Sequence, residues 1–234
     1  MDYQTCQLSS AADVATVCRQ VVSGSSLVRL SQTCPPSSAV DVVVVCRQVA
    51  TGSSLVRLSG IDWRVLEVTG HRALLLADWV IGTGSYHQVE VDVTWERCDL
   101  RRWLNGQFLD SLGRPLASQV LRTKVENRPN PSWDTPGGED TEDQVFLLSM
   151  EEAAHWLAEK HHRLIRYYRF RRFRSDKLIA KTEEDVRAGW WLRSPGRYPG
   201  RAANVLRSGY LIDYGLDVSA SSGVRPAFWL NLGS

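Results

Sequence analysis

Apolar and polar residues alternate through IDWRVLEVTGHRALLLADWV (61–80) on both sides of Thr69-Gly70, which predicts a β-hairpin turning at that pair. The next run, TWERCDLRRWLNGQFLDSLG (94–113), instead spaces Leu100, Trp103, Leu104, Phe108 and Leu112 at helical intervals. That period predicts one buried helix face, closed by Gly113. ENRPNPSWDTPGGEDTED (126–143), rich in Pro, Gly and Asp, reads as a long loop. VFLLS (145–149) predicts a short buried strand, and Ser149 with Glu152 a capping box opening a helix at MEEAAHWL. From WWLRSPG onward, short apolar alternations broken by Gly209, Gly215 and Gly223 predict short strands and tight turns. The sum is an α+β chain with no βαβ rhythm.

Ahead of this body stands a tandem duplication. Residues 4–31 and 32–59 are identical at 21 of 28 positions, with a constant offset. Two copies are too few for a solenoid, so one copy is expected to lead into the following domain and the other to be an extra. The domains are then 1–59, the duplication, and 60–234. In each copy a Ser and an Asp three apart (Ser10 and Asp13, Ser38 and Asp41) precede an apolar run closed by a Gly (Gly24, Gly52), which fits a capped helix. The β-branched stretch Val40 to Val45 fits a strand equally well, and the pattern leaves both readings open. LVRLS, which ends each copy, looks like a strand.

Composition narrows the function classes. Twenty-eight basic against 26 acidic residues leave a net charge of +2, which does not describe a nucleic-acid protein as a whole. No run approaches a membrane span, and the start lacks the basic and long apolar regions of a secretory signal. Five cysteines without such a signal predict reduced thiols and a cytoplasmic or phage-associated protein. Four of them, Cys6, Cys18, Cys34 and Cys46, belong to the duplication. They show no C-x-x-C and have no nearby His, so copied small hydrophobes are favoured over zinc. Nine tryptophans, each needing apolar packing and an indole N–H partner, suggest a loop-rich fold with a dense core.

Few residues suggest chemistry. His71, His87, His155, His161 and His162 have no metal-ligand spacing. Cys98, at the start of an amphipathic helix, reads as a packed thiol rather than a nucleophile. Glu139, Asp140, Glu142 and Asp143 follow Gly137-Gly138 and offer hard oxygens that calcium would accept, although a solvated acidic loop is the plainer reading. No other cofactor is expected. Residues 160–174 interleave Arg163, Arg166, Arg169, Arg171, Arg172 and Arg174 with Tyr167, Tyr168, Phe170 and Phe173. Such a stretch suits stacking on single-stranded nucleic acid, or an amphipathic segment with its arginines in water; the near-neutral chain favours the second.

The strings WRVLEVTGHRALLLAD, TWERCDLRRWLN, GGEDTEDQVFLLS, WWLRSPG and SSGVRPAFWLNL, in this order, resemble a bacterial and phage domain family placed with the C-type-lectin-like and formylglycine-generating-enzyme-like folds. Members of that family look like the variable proteins of diversity-generating retroelements. The resemblance covers about 60–234. It implies an α+β, C-type-lectin-like fold with short strands, two or more helices and long loops, presenting a C-terminal display surface to a macromolecular, most naturally protein, ligand. The diversified stretch would be 197–222. Within it Val205, Leu211 and Val218 are expected to anchor inward, and strand alternation turns Asn204, Leu206, Tyr210, Ile212, Tyr214, Asp217 and Ser219 outward. The contact candidates are Tyr198, Arg201, Asn204, Leu206, Arg207, Tyr210, Ile212, Asp213, Tyr214, Leu216, Asp217, Ser219, Ser221 and Ser222. Trp63, Trp103, Trp190, Trp191 and Trp229 are expected in the core, with Arg193 and Arg225 structural beside it. The enzyme branch of the fold needs reactive cysteines near its C-terminal region, and none follows Cys98. The expectation is therefore a protein that binds and does not catalyse.

Overall fold

Ser38 decides the first open choice. Its hydroxyl accepts the Asp41 N–H at 3.2 Å while the Asp41 carboxylate accepts the Ser38 N–H at 2.9 Å, a reciprocal capping box. The computed structural model describes residues 27–30, 38–157 and 173–233, and places there helix α1 (Ala39–Ala50). Val42, Val45 and Val49 line its buried face. Their burial outweighs the few tenths of a kcal/mol that each β-branched residue costs in a helix. Gly52, at φ +94, follows the C-cap in the left-handed region. The first-copy helix signal at Ser10 and Asp13, and Cys6, Cys18 and Cys34, lie outside the described residues.

In chain order the strands are β1 (Val28–Leu30), β2 (Leu55–Leu58), β3 (Ile61–Thr69), β4 (Arg72–Ala77), β5 (Gly82–Ser85), β6 (Thr123–Val125) and β7 (Thr141–Asp143). There follow β8 (Ala180–Lys181), β9 (Arg187–Ala188), β10 (Trp190–Pro195), β11 (Arg201–Val205), β12 (Leu211–Asp217), β13 (Ser221–Val224) and β14 (Ala227–Asn231). One sheet has the order β1-β5-β13-β10-β11-β12, the other β14-β4-β3-β2, and β6-β7 and β8-β9 form two small pairs. Among the described residues all strand pairings are antiparallel except a single parallel contact, Trp190 with Gly223. The expected hairpin is β3–β4, with Thr69 opposite Arg72 and Gly70 at φ +57.

The duplication splits between the sheets. LVRL of the second copy is β2, paired with β3, whereas Val28–Leu30 of the first copy pairs with Gly82–Gly84 of β5. The same short sequence therefore forms an edge strand in each sheet, pairing with the backbone of β5 in one and of β3 in the other. Val42, Val45, Val49, Val56 and Leu58 join the common core, so the second copy is packed with the body that follows it.

The expected helix runs through α2 (Asp99–Trp103), a π turn (Leu104–Phe108) and α3 (Leu109–Ser111). All five spaced apolar residues are buried, and Gly113 follows at φ +82. The π turn coincides with Asn105, whose amide donates to the carbonyls of Arg101 and Val145. A short α4 (Arg114–Ala117) succeeds it, and α5 (Met150–Leu157) starts at the expected Ser149–Glu152 capping box.

Four expectations are corrected. The last three residues of the expected loop 126–143 form β7, paired with β6, because Thr141 and Asp143 turn inward. VFLLS is buried as predicted but is not a strand; it makes one isolated bridge, Phe146 to Ala227. Gly215 and Gly223 lie inside β12 and β13 instead of breaking them. Trp63, Trp103, Trp190 and Trp191 are buried, but Trp229 is only partly so and stacks under Arg72 at 4.4 Å. No helix among the described residues is long and apolar enough to cross a membrane.

Candidate ligand face

The fully buried pair Trp190-Trp191 fixes the frame. Trp190 Nε1 donates to Leu178 O and Trp191 Nε1 to Gly84 O, both at 2.9 Å, so neither indole buries an unpaired N–H. Arg193 makes a two-point ion pair with Glu152 (2.7 Å to Oε1) and donates to Leu147 O. Arg225 donates to Ala77 O at 2.7 Å and lies 5.1 Å from the Trp190 ring centre. Burial pulls the Arg225 guanidinium down to about 9, with Asp78 opposing and Arg64 adding to that shift. Both arginines are structural, as their sequence contexts suggested.

From this frame the chain turns outward at Pro195-Gly196. A Cβ at Gly196 would sit 2.7 Å from both Arg201 Cβ and Tyr214 O, so the turn requires glycine. Asn130, fully buried in the loop between β6 and β7, clamps the same corner. Its Nδ2 donates to Pro195 O at 2.8 Å, Gly196 O at 3.2 Å and Asp213 O at 2.8 Å, and its Oδ1 accepts Ser132 N–H. Thr135 Oγ1 donates to Arg197 O at 2.8 Å, and Arg197 N–H to Tyr214 O at 3.1 Å. The loop thus brings Trp133 against Arg197, whose guanidinium lies 4.5 Å from that ring centre and 5.1 Å from that of Tyr198.

The fourteen sequence-predicted contact residues divide. Tyr198, Leu206, Arg207, Tyr210, Tyr214, Ser219 and Ser221 are exposed, and Arg201, Leu216, Asp217 and Ser222 are intermediate. Arg201 and Asp217 pair with each other at 2.9 Å. Asn204, Ile212 and Asp213 are buried, contrary to expectation. Alternation fails because β10 and β11 are covered on both faces, so neighbouring residues are buried alike. The register with β11 also shifts between Ala202 and Asn204, where β12 carries two extra residues and Gly215 stands at φ +71, so regular alternation is interrupted there. Among the described residues, neither Asp213 carboxylate oxygen nor Asn204 Oδ1 has a hydrogen-bond partner. Val205, Leu211 and Val218 are fully buried, as expected of anchors. Trp133 and Arg197 belong to the face but were not among the predicted contacts: Trp133 lies in a distant loop, held against this corner by the Asn130 clamp and the Thr135–Arg197 bond.

The other candidates are occupied structurally. Cys98 is fully buried beside Tyr86, and burial pushes its thiol up to about 12, too protonated to act as a nucleophile. Its Sγ accepts Arg101 N–H at 3.3 Å. His87 Nδ1 faces Asp99 Oδ2 at 2.9 Å. His155 instead lines a polar cleft of about 240 Å³ with Glu126, Glu152 and Trp156. In the acidic stretch, Asp143 is buried between Arg101 (2.7 Å) and Trp95 Nε1 (2.9 Å), and Asp140 pairs with Lys124 at 3.0 Å. Two carboxylates of the calcium candidate are therefore committed to protein partners. Of the basic stretch, Arg163, Arg166, Arg169, Arg171 and Arg172 lie outside the described residues; Arg174 pairs with Asp176 and donates to Ser208 O.

Residues 70–232, from the β3–β4 turn to the end of β14, match the family described as Domain of unknown function (DUF6273). The chain belongs to this family. No curated protein and no solved structure matches it. The DUF6273 region contains the Asn130 clamp and the whole face 197–222, whereas α1 and the LVRL strands precede it.

Proposed function

We propose that this chain is a ligand-binding protein whose DUF6273 domain presents residues 197–222 as a recognition face. The observation that carries the reading is the contrast within that stretch. Tyr198, Tyr210 and Tyr214 are 55%, 40% and 46% exposed, while Ala203, Val205, Leu211 and Val218 beneath them are fully buried. A rigid scaffold that presents Tyr and Arg side chains offers large contact area at low entropic cost, and these are the residues that dominate interface energy. The reading takes the fold as C-type-lectin-like, supported by its short antiparallel strands, several helices and long loops. It takes the partner as a protein and assigns no catalysis, consistent with the buried thiol of Cys98. It also takes the face as diversified in the manner of retroelement variable proteins.

Sequencing close relatives tests this. Substitutions should concentrate at exposed positions such as 198, 206, 207, 210 and 214 and spare Asn130, Trp190, Trp191 and Gly196. A near-copy of the DNA for this stretch, differing mainly at adenines, should lie beside a reverse-transcriptase gene. Variation spread evenly along the chain, with no such copy, contradicts the reading.

A further inference from the structure

Arg197 differs from the other charged groups around it. Its backbone is pinned twice, by Thr135 Oγ1 on its carbonyl and by its own N–H on Tyr214 O. Its guanidinium stacks on Trp133 and Tyr198, yet no carboxylate among the described residues pairs with it. Arg201, by contrast, is bound to Asp217, and Arg174 to Asp176. An exposed arginine normally loses rotamer freedom on binding; here the rings and the pinned backbone have already removed much of it. Its π face is used by the rings, so its N–H edge is the part left for recognition. That edge is a planar fork of donors that matches two oxygens of a carboxylate or phosphate.

We infer that Arg197 is the anion-reading residue of the ligand face and takes a carboxylate side chain from an acidic segment of a protein partner. The surroundings favour a carboxylate over a polyanion. Asp92 lies beside Gly200, within 3.6 Å of where a Cβ there would stand, and Asp217 beside Arg201, so the local field is mixed rather than uniformly basic. Tyr198, whose ring lies against the guanidinium, and the exposed Tyr214 offer ring surface and hydroxyls suited to a peptide backbone. The inference rests on the reading of 197–222 as the ligand face, and it adds the chemistry of one contact.

The test is a selection of random peptides of about a dozen residues against the immobilised full chain, followed by binding measurements on variants. The expected peptides carry Asp or Glu at a fixed position. Arg197→Gln should weaken them at least about tenfold, Arg197→Lys should restore little because an ammonium lacks the fork, and the melting temperature of both variants should stay near that of the parent. Peptides that lose binding in Tyr210→Ala and Tyr214→Ala but ignore Arg197→Gln would overturn the Arg197 assignment and leave the ligand face standing. Peptides indifferent to all of these variants would overturn both. Displacement by inorganic phosphate more readily than by acetate would overturn the choice of carboxylate.

Discussion

Asn130→Ala removes the clamp that joins the long loop to the display corner. One side-chain amide there serves three carbonyls, those of Pro195, Gly196 and Asp213, at 2.8 to 3.2 Å, from a fully buried position. An amide has two hydrogens, so the three contacts share two donors, and truncation strands about two hydrogen bonds' worth of buried acceptor. At about 1–3 kcal/mol for each buried group left unpaired, the cost is roughly 2–6 kcal/mol, and entry of water into the gap favours the lower half. For a chain of this size about 3 kcal/mol corresponds to a fall in Tm of roughly 6–12 °C. Asn130→Asp should be worse than alanine, because it aims a carboxylate at three carbonyl oxygens. Thermal melts followed by circular dichroism, with denaturant titrations, measure both. An Asn130→Ala protein melting within about 2 °C of the parent would refute the reasoning, since surface substitutions without partners change stability that little.

Trp191→Ala should cost roughly 3–5 kcal/mol, the usual range for a large buried aromatic, and denaturant melts should show it; a neutral outcome would mean that the side chain is not the packed frame of β10. Cys98 should resist alkylation in the native state at neutral pH and react only on unfolding, read by mass spectrometry. Its thiol titrates near 9 when unfolded and near 12 when folded, so the unfolded chain loses its proton first and stability should fall as pH rises through that window. The slope from this one group is at most about 1.4 kcal/mol per pH unit, and Cys98→Ala should flatten it; an unchanged slope would contradict the burial argument. Gly84→Ala should loosen β1, because a Cβ there collides with Leu27 O, and amide exchange at residues 28–30 should accelerate while β10–β12 stays protected. Unaltered exchange would mean that the first-copy strand does not depend on the close approach.

Local periodicity made the helix at 99–111 legible, since its five spaced apolar residues all turn inward. It said nothing of the π turn, which answers to a partner at Val145 some forty residues away. In α1 the valines left helix and strand open, and the structure follows the capping box and the buried face. Alternation also turned Leu206, Tyr210, Tyr214 and Ser219 outward, and all four are exposed. It failed at Asn204 and Ile212 because a sheet covered on both faces carries no inside-outside signal, and because the register with β11 shifts near Gly215. Trp133 and Arg197 escaped for a different reason: they meet through the long-range contacts of Asn130 and Thr135, and no short-range pattern marks loop residues as clamps.

The separation of face from scaffold is tested most directly by one combined variant, Tyr198→Ala with Arg207→Ala, Tyr210→Ala and Tyr214→Ala, measured for both Tm and binding to peptides selected against the parent chain. All four side chains are exposed, and none bridges the core. The account predicts a Tm within a few degrees of the parent, since exposed substitutions each change stability by about 0.5 kcal/mol or less, together with a loss of affinity of at least about a hundredfold. Retained binding, or a collapse of Tm as large as that expected for Trp191→Ala, would contradict it.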